Sequence, residues 1–129
     1  MPDRYCPLGV IEAIHLKVVE ALPDAAVAIN SDGEIIVFNT EAEFMFGYVR
    51  DEVLGQKIEI LIPESVREVH AKHREGWFEE PKTREMGAGR VLHGLNKAGK
   101  TFPVQIKLAR IIIPQTGVHG LAIIRRVKE

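Results

Sequence analysis

Two imidazoles and an indole share one helical stripe of this sequence. His70, His73 and Trp77 stand three and four residues apart beside Val66 and Val69, while Glu64, Arg67, Glu68, Lys72, Arg74 and Glu75 fall largely off it. An imidazole on an apolar face needs partners for its ring nitrogens. It either bonds to a backbone carbonyl as a core histidine or ligates something held in the interior. As an i, i+3 pair His70 and His73 could touch one zinc, but a structural zinc wants four ligands, and His15, His93 and His119 are scattered with no second spaced pair. No nucleophile is in place for turnover: the only serines are Ser31 and Ser65, neither in a Gly-x-Ser-x-Gly elbow, and Cys6 lies near the start. Gly87-Ala88-Gly89 is too brief for a phosphate loop and reads as backbone freedom before a strand. The residues point to binding without catalysis.

The elements that must position this stripe follow from period and punctuation. Leu8, Ile11, Ile14, Val18 and Leu22 recur at three and four, an amphipathic helix that Pro23 and Asp24 end. Its stripe either packs on its own domain or pairs with a second copy. Residues 25–30 and 34–38 are short Val- and Ile-rich runs joined by Ser31-Asp32-Gly33, a hairpin. Thr40 with Glu43 three residues on predicts a capping box opening a short helix that Gly47 stops. Residues 50–54 and 57–61 read as two brief helical turns, and Pro63 to Glu80 as one longer helix ending before Pro81. Three extended segments complete the chain at 90–96, 101–113 and 118–127. Phe102, Val104, Ile106 and Leu108 alternate there with Pro103, Gln105 and Lys107, so one face is buried and the other wet. This order predicts an α+β fold, a five-stranded antiparallel sheet with short helices over one face. The chain divides into residues 1–22, an N-terminal amphipathic helix and dimerisation element, and a domain over 23–129.

Composition bounds what such a domain can do. The 129 residues, 46% hydrophobic and 27% charged, suffice for one core without disulfide or metal staples. Seventeen Lys+Arg against eighteen Asp+Glu leave a net charge of -1, with no basic excess for a phosphate backbone, so nucleic acid is not an expected partner. One cysteine, no visible signal peptide and no apolar run of membrane-spanning length lead to the expectation of a cytoplasmic protein with no membrane segment in this chain.

Several segments together resemble the PAS family of bacterial sensory domains, from about Val19 to Val127. They are Ala21-Leu22-Pro23-Asp24-Ala25, Asp32-Gly33 with Ile36-Val37-Phe38-Asn39, Phe46-Gly47-Tyr48 leading into Glu52-Val53-Leu54-Gly55, Leu61-Ile62-Pro63-Glu64, and Lys97-Ala98-Gly99-Lys100-Thr101-Phe102-Pro103-Val104. Ala98 replaces the family's usual turn Asp. The resemblance implies a PAS fold and a homodimeric signal-transduction module that relays a ligand, redox or gas signal to an effector domain or partner protein.

Within that family the chain is similar to oxygen-sensing haem domains of the FixL type. There a histidine on the long helix binds iron and an arginine twenty residues on faces the gas, the spacing of His70 and Arg90. The resemblance implies haem b with His70 as proximal ligand, a metal ligand only if haem is bound, and Arg90 as distal donor, Ile106 and Leu108 lining the gas side, and His73 and Trp77 as further cofactor-binding residues. Neutral imidazole is a good iron ligand, and a guanidinium donor stabilises partly negative bound dioxygen. Glu85 falls where those domains place an aliphatic residue. The pattern His70-x-x-His73-Arg74, with Pro81, Arg84, Met86-Gly87 and Gly89-Arg90, equally resembles PAS domains without established haem. Three readings therefore stand: a module with a small-molecule ligand, a haem b gas sensor, and a structural dimerisation unit without ligand. Flavin and coumarate photochemistry need a pocket cysteine, and Cys6 precedes the domain.

Overall fold

The computed structural model describes residues 17–79, 84–85, 92–113 and 117–127. Residues 17–21 are helical. Strand β1 (Ala25–Ile29) and β2 (Ile35–Phe38) pair antiparallel, with Val27 opposite Phe38. Between them Asn30 Oδ1 accepts from the backbone N–H groups of Asp32 and Glu34, each at 3.0 Å, and Gly33 takes φ 84°. That left-handed backbone closes the turn at no side-chain cost.

Helix α1 (Thr40–Phe46) starts on Asn39, not on Thr40. The expected Thr40/Glu43 capping box does not form: the cap stands one residue earlier and is one-sided, and the Glu43 carboxylate accepts from Arg50 N–H instead. Asn39 Oδ1 accepts from Ala42 N–H at 3.0 Å, while Thr40 Oγ1 bonds to Glu20. The carboxamide wins because it also accepts from Ala26 N–H at 2.9 Å, tying the helix start to β1 in the core. Gly47, at φ 75°, ends the helix as expected.

Helix α2 (Arg50–Val53) and a 3-10 turn (Ile58–Leu61) follow, matching the two brief turns. The long helix begins later than Pro63 implies. Glu64–Val66 is a 3-10 turn, and α3 proper is Arg67–Glu79.

The sheet continues with β3 (Arg84–Glu85), β4 (Leu92–Leu95), β5 (Thr101–Ile113) and β6 (Gly117–Arg126), in the order β2-β1-β6-β5. Both β4 and the two-residue β3 pair with the remaining edge of β5, at residues 101–104 and 107–108 respectively. The architecture is the expected antiparallel sheet of five main strands, with β3 as a short sixth. The strand expected to begin at Arg90 is described only from Leu92, and Arg90 lies outside the described residues.

Register fixes which side chains share the inner face. Val27, Ala122 and Leu108 stand in one cross-strand row, and Ala25, Ile124 and Ile106 in the next. Over this face Phe46 packs between Phe38 and Phe102, with ring centroids 6.2 and 5.5 Å away. Ile35, Val53 and Leu61 close the core around them. The small helices have too few residues to hold themselves, and burial of Ala42, Phe46 and Val53 supplies what propensity cannot.

Candidate functional site

Between α3 and the sheet lies a cavity of about 100 Å³. Its floor is formed on the inner face of the sheet by Val27 and Ile29 from β1, Ile106 and Leu108 from β5, and Ala122 and Ile124 from β6. Its roof is the inner face of α3, carrying His70, His73, Arg74 and Trp77, and His93 and Gly94 of β4 stand at the side. Trp77 rests on the sheet at Gly120, where an added Cβ would lie 3.2 Å from the indole Cζ3. The absence of a side chain at Gly120 is what lets the ring lie against the backbone.

The structure therefore brings His70, His73, Trp77, Ile106 and Leu108 around one chamber. The helical stripe read from the sequence is rotated, however. Val66 and Val69 are 46% and 55% exposed, and Arg74, expected off the stripe, is turned inward. The cause is Glu59, which the sequence reading passed over. Arg74 donates to it from Nε at 2.9 Å and from Nη2 at 3.1 Å, and His70 Nδ1 lies 2.7 Å from Glu59 Oε2. The Glu59 and Arg74 side chains are only 11% and 10% exposed. Burying a carboxylate requires such partners, and two positions four residues apart on α3 supply them. The guanidinium also crosses Gly33, where an added Cβ would fall 2.3 Å from Arg74 Cζ. The β1–β2 turn thus needs glycine for two reasons, its backbone angle and this close approach.

Electrostatics define the state of the imidazole. Burial pushes the His70 pKa below its ordinary 6.5, with the Glu59 hydrogen bond opposing. Burial alone would raise the Glu59 pKa, but hydrogen bonds from Arg74 and His70 outweigh it and hold the carboxyl below 4.5. At neutral pH the pair is an ionised carboxylate and a neutral imidazole. A carboxylate only accepts, so His70 Nδ1 carries the proton and Nε2 keeps its lone pair. A second-sphere carboxylate on one imidazole nitrogen is the arrangement that orients histidine ligands through the other.

A pH dependence follows. Because both groups release protons more readily folded than unfolded, the unfolded chain binds the extra protons on acidification. The His70 contribution is fully present above 6.5 and is lost as pH falls through its folded value; the Glu59 contribution is lost likewise below 4.5. Urea midpoints measured from pH 8 to 4 should fall from about 6.5 downward, and the difference between wild type and His70→Gln should isolate the upper part. A wild-type profile identical in shape to His70→Gln would contradict this assignment.

Comparison with known proteins agrees with this architecture. Residues 16–125 match the family model described as PAS fold. The chain is a PAS domain. It is 32% identical over 98 residues to the sensor protein FixL of Bradyrhizobium diazoefficiens and 32% identical over 114 residues to the oxygen sensor protein DosP of Escherichia coli. These alignments cover 75% and 88% of this chain but only 19% and 14% of those proteins. Among solved structures, the PAS domain of an HTR-like protein from Haloarcula marismortui superposes with a TM-score of 0.71 at 21% identity, covering 93% of this chain and all of that one. A PAS domain from Desulfitobacterium hafniense gives 0.74 at 19% identity, covering 86% and 99%. The PAS domain described here is a sensory module similar to those of sensor proteins. Among its described residues, no helix is long and apolar enough to cross a membrane.

Proposed function

We propose that this PAS domain is the sensing unit of a longer signalling protein, and that its signal is a small molecule held between α3 and the sheet. One observation carries the reading: an apolar chamber has in its wall an imidazole oriented by a buried carboxylate. A satisfied core histidine would need no chamber beside it. Ligand entry would bear on α3 and, through Glu59 and Arg74, on the turn before β2. Output then passes to an effector domain or partner protein, consistent with the small share of FixL and DosP that this chain spans. Homodimerisation through residues 1–22, which the sequence predicts to be an amphipathic helix, belongs to the same proposal. Of its stripe, Val18 is 57% exposed, whereas Leu8, Ile11 and Ile14 lie outside the described residues. Sedimentation showing only monomer at high concentration would remove the dimer.

Haem b is the second reading, favoured by the His70–Glu59 contact and by the likeness to FixL and DosP. The donor chemistry fits: a neutral imidazole with Nδ1 occupied presents Nε2, the form a metal requires. The space does not fit while Trp77 rests on Gly120, because about 100 Å³ is less than the roughly 150 Å³ that holds one benzene. Accommodating a porphyrin therefore requires displacement of α3. Adding haem to the purified domain separates the readings. A Soret band in wild type that disappears in a folded His70→Ala variant supports haem; a folded wild-type domain that develops no band removes it and leaves the smaller ligand.

A further inference from the structure

Size and charge together restrict what the chamber can hold. A cavity of roughly 150 Å³ takes one benzene, so about 100 Å³ takes roughly four non-hydrogen atoms. Among the described lining residues Arg74 carries the one permanent charge, and it is neutralised in the wall, where Nε and Nη2 donate to the largely buried Glu59. No carboxylate is among those lining residues: Glu59 does not line the cavity, although Ile58 and Leu61 of the same 3-10 turn do. A bound ion would thus meet no uncommitted counter-charge, and burying an unpaired charge is far costlier than burying a neutral molecule.

One polar atom of the roof is left to a ligand. His70 Nδ1 is held at 2.7 Å by Glu59, so the ring edge carrying it is turned away from the chamber that His70 lines. The opposite edge carries Nε2, whose lone pair is taken by none of the described residues. An acceptor beside an apolar floor is costly without a donor, and a ligand that donates to it removes that cost. We infer that the ligand is a neutral molecule of roughly four non-hydrogen atoms that donates one hydrogen bond to His70 Nε2 and lays an aliphatic body on the sheet floor, a short alcohol being the simplest of this class. This rests on the chamber being a ligand site. Trp77 sets the limit of size, since its indole fills the space over Gly120.

The test titrates isopropanol, acetone, acetate and isopropylammonium, which share one branched four-atom skeleton, into the full chain at pH 7, with the labelled histidine ring nitrogens read by NMR. Isopropanol should bind about fivefold tighter than acetone, the worth of one hydrogen bond, and should shift the His70 Nε2 resonance, while neither ion binds saturably. Benzyl alcohol, with the same donor on a ring, should bind more weakly than isopropanol. The variant His70→Asn keeps a donor for Glu59 at the Nδ1 position and lacks Nε2, so it should hold isopropanol and acetone alike. Acetone, either ion or benzyl alcohol binding as tightly as isopropanol would overturn the inference while leaving the chamber a ligand site. So would an Nε2 resonance unmoved at isopropanol saturation, or an undiminished preference in a folded His70→Asn variant. Saturable binding of none of the probes would overturn both.

Discussion

Replacing Asn39 by alanine should lower the unfolding free energy by about 3–5 kcal/mol, a large part of the total for a domain of this size. Asn39 is fully buried, and its carboxamide makes four hydrogen bonds. Oδ1 accepts from Ala26 N–H at 2.9 Å and from Ala42 N–H at 3.0 Å; Nδ2 donates to Val19 O at 2.9 Å and to Asp24 O at 3.1 Å. One side chain thereby caps α1, anchors β1 and fastens the segment that enters the domain. Alanine would strand two donors and two acceptors, and the loss of the cap alone costs about 1 kcal/mol. Asn39→Asp should also destabilise, because it keeps the acceptor oxygen but aims a second oxygen at two carbonyls. Urea unfolding followed by circular dichroism checks both. A loss below about 1 kcal/mol for Asn39→Ala would show that the four bonds do not act together.

Glu59→Ala should be the next most damaging change, at about 3 kcal/mol, because it leaves the buried Arg74 guanidinium without its counter-charge. The cost arises from the group left behind more than from the bond removed. Glu59→Gln keeps an acceptor for Arg74 and should recover about half of the loss. The two variants share a second consequence. The Glu59 hydrogen bond and charge are what oppose burial at His70, so removing the charge should depress the His70 pKa further below 6.5. An NMR titration of the His70 ring would register this as a lower midpoint in Glu59→Gln than in wild type. An unchanged midpoint would mean that the carboxylate does not govern the imidazole.

The parts of this molecule legible in its sequence are those set by local chemistry. Asp32-Gly33 marks a turn because only glycine takes φ 84° without strain there, and the alternation from Phe102 to Leu108 marks a strand because the pleat has period two. His70, Ile106 and Leu108 were identified through the likeness to the FixL type, and the chain brings them around one cavity. Glu59 and Arg74 were not, since their pairing spans fifteen residues and neither residue type signals burial. A signal was nonetheless present: Glu59 interrupts the apolar run Ile58-Glu59-Ile60-Leu61, and Arg74, grouped by its charge with the wet residues, stands four residues after His70, one turn further along the helix. A charge embedded in an apolar run and another at i+4 from a core imidazole are each unremarkable alone. Together they describe a buried pair. With Arg74 turned inward by that pair, Val69 is left exposed, so the period count places His70, His73 and Trp77 on the inner face but errs at Val69 and Arg74.

Xenon uptake addresses the chamber itself, independently of which ligand occupies it, because an apolar hole of this size takes up the gas. Methyl NMR spectra under xenon pressure should show saturable shifts centred on Val27, Ile106, Leu108 and Ile124, the floor beneath α3. Spectra without saturable shifts at these methyls, or with shifts confined to the opposite face of the sheet, would contradict the account.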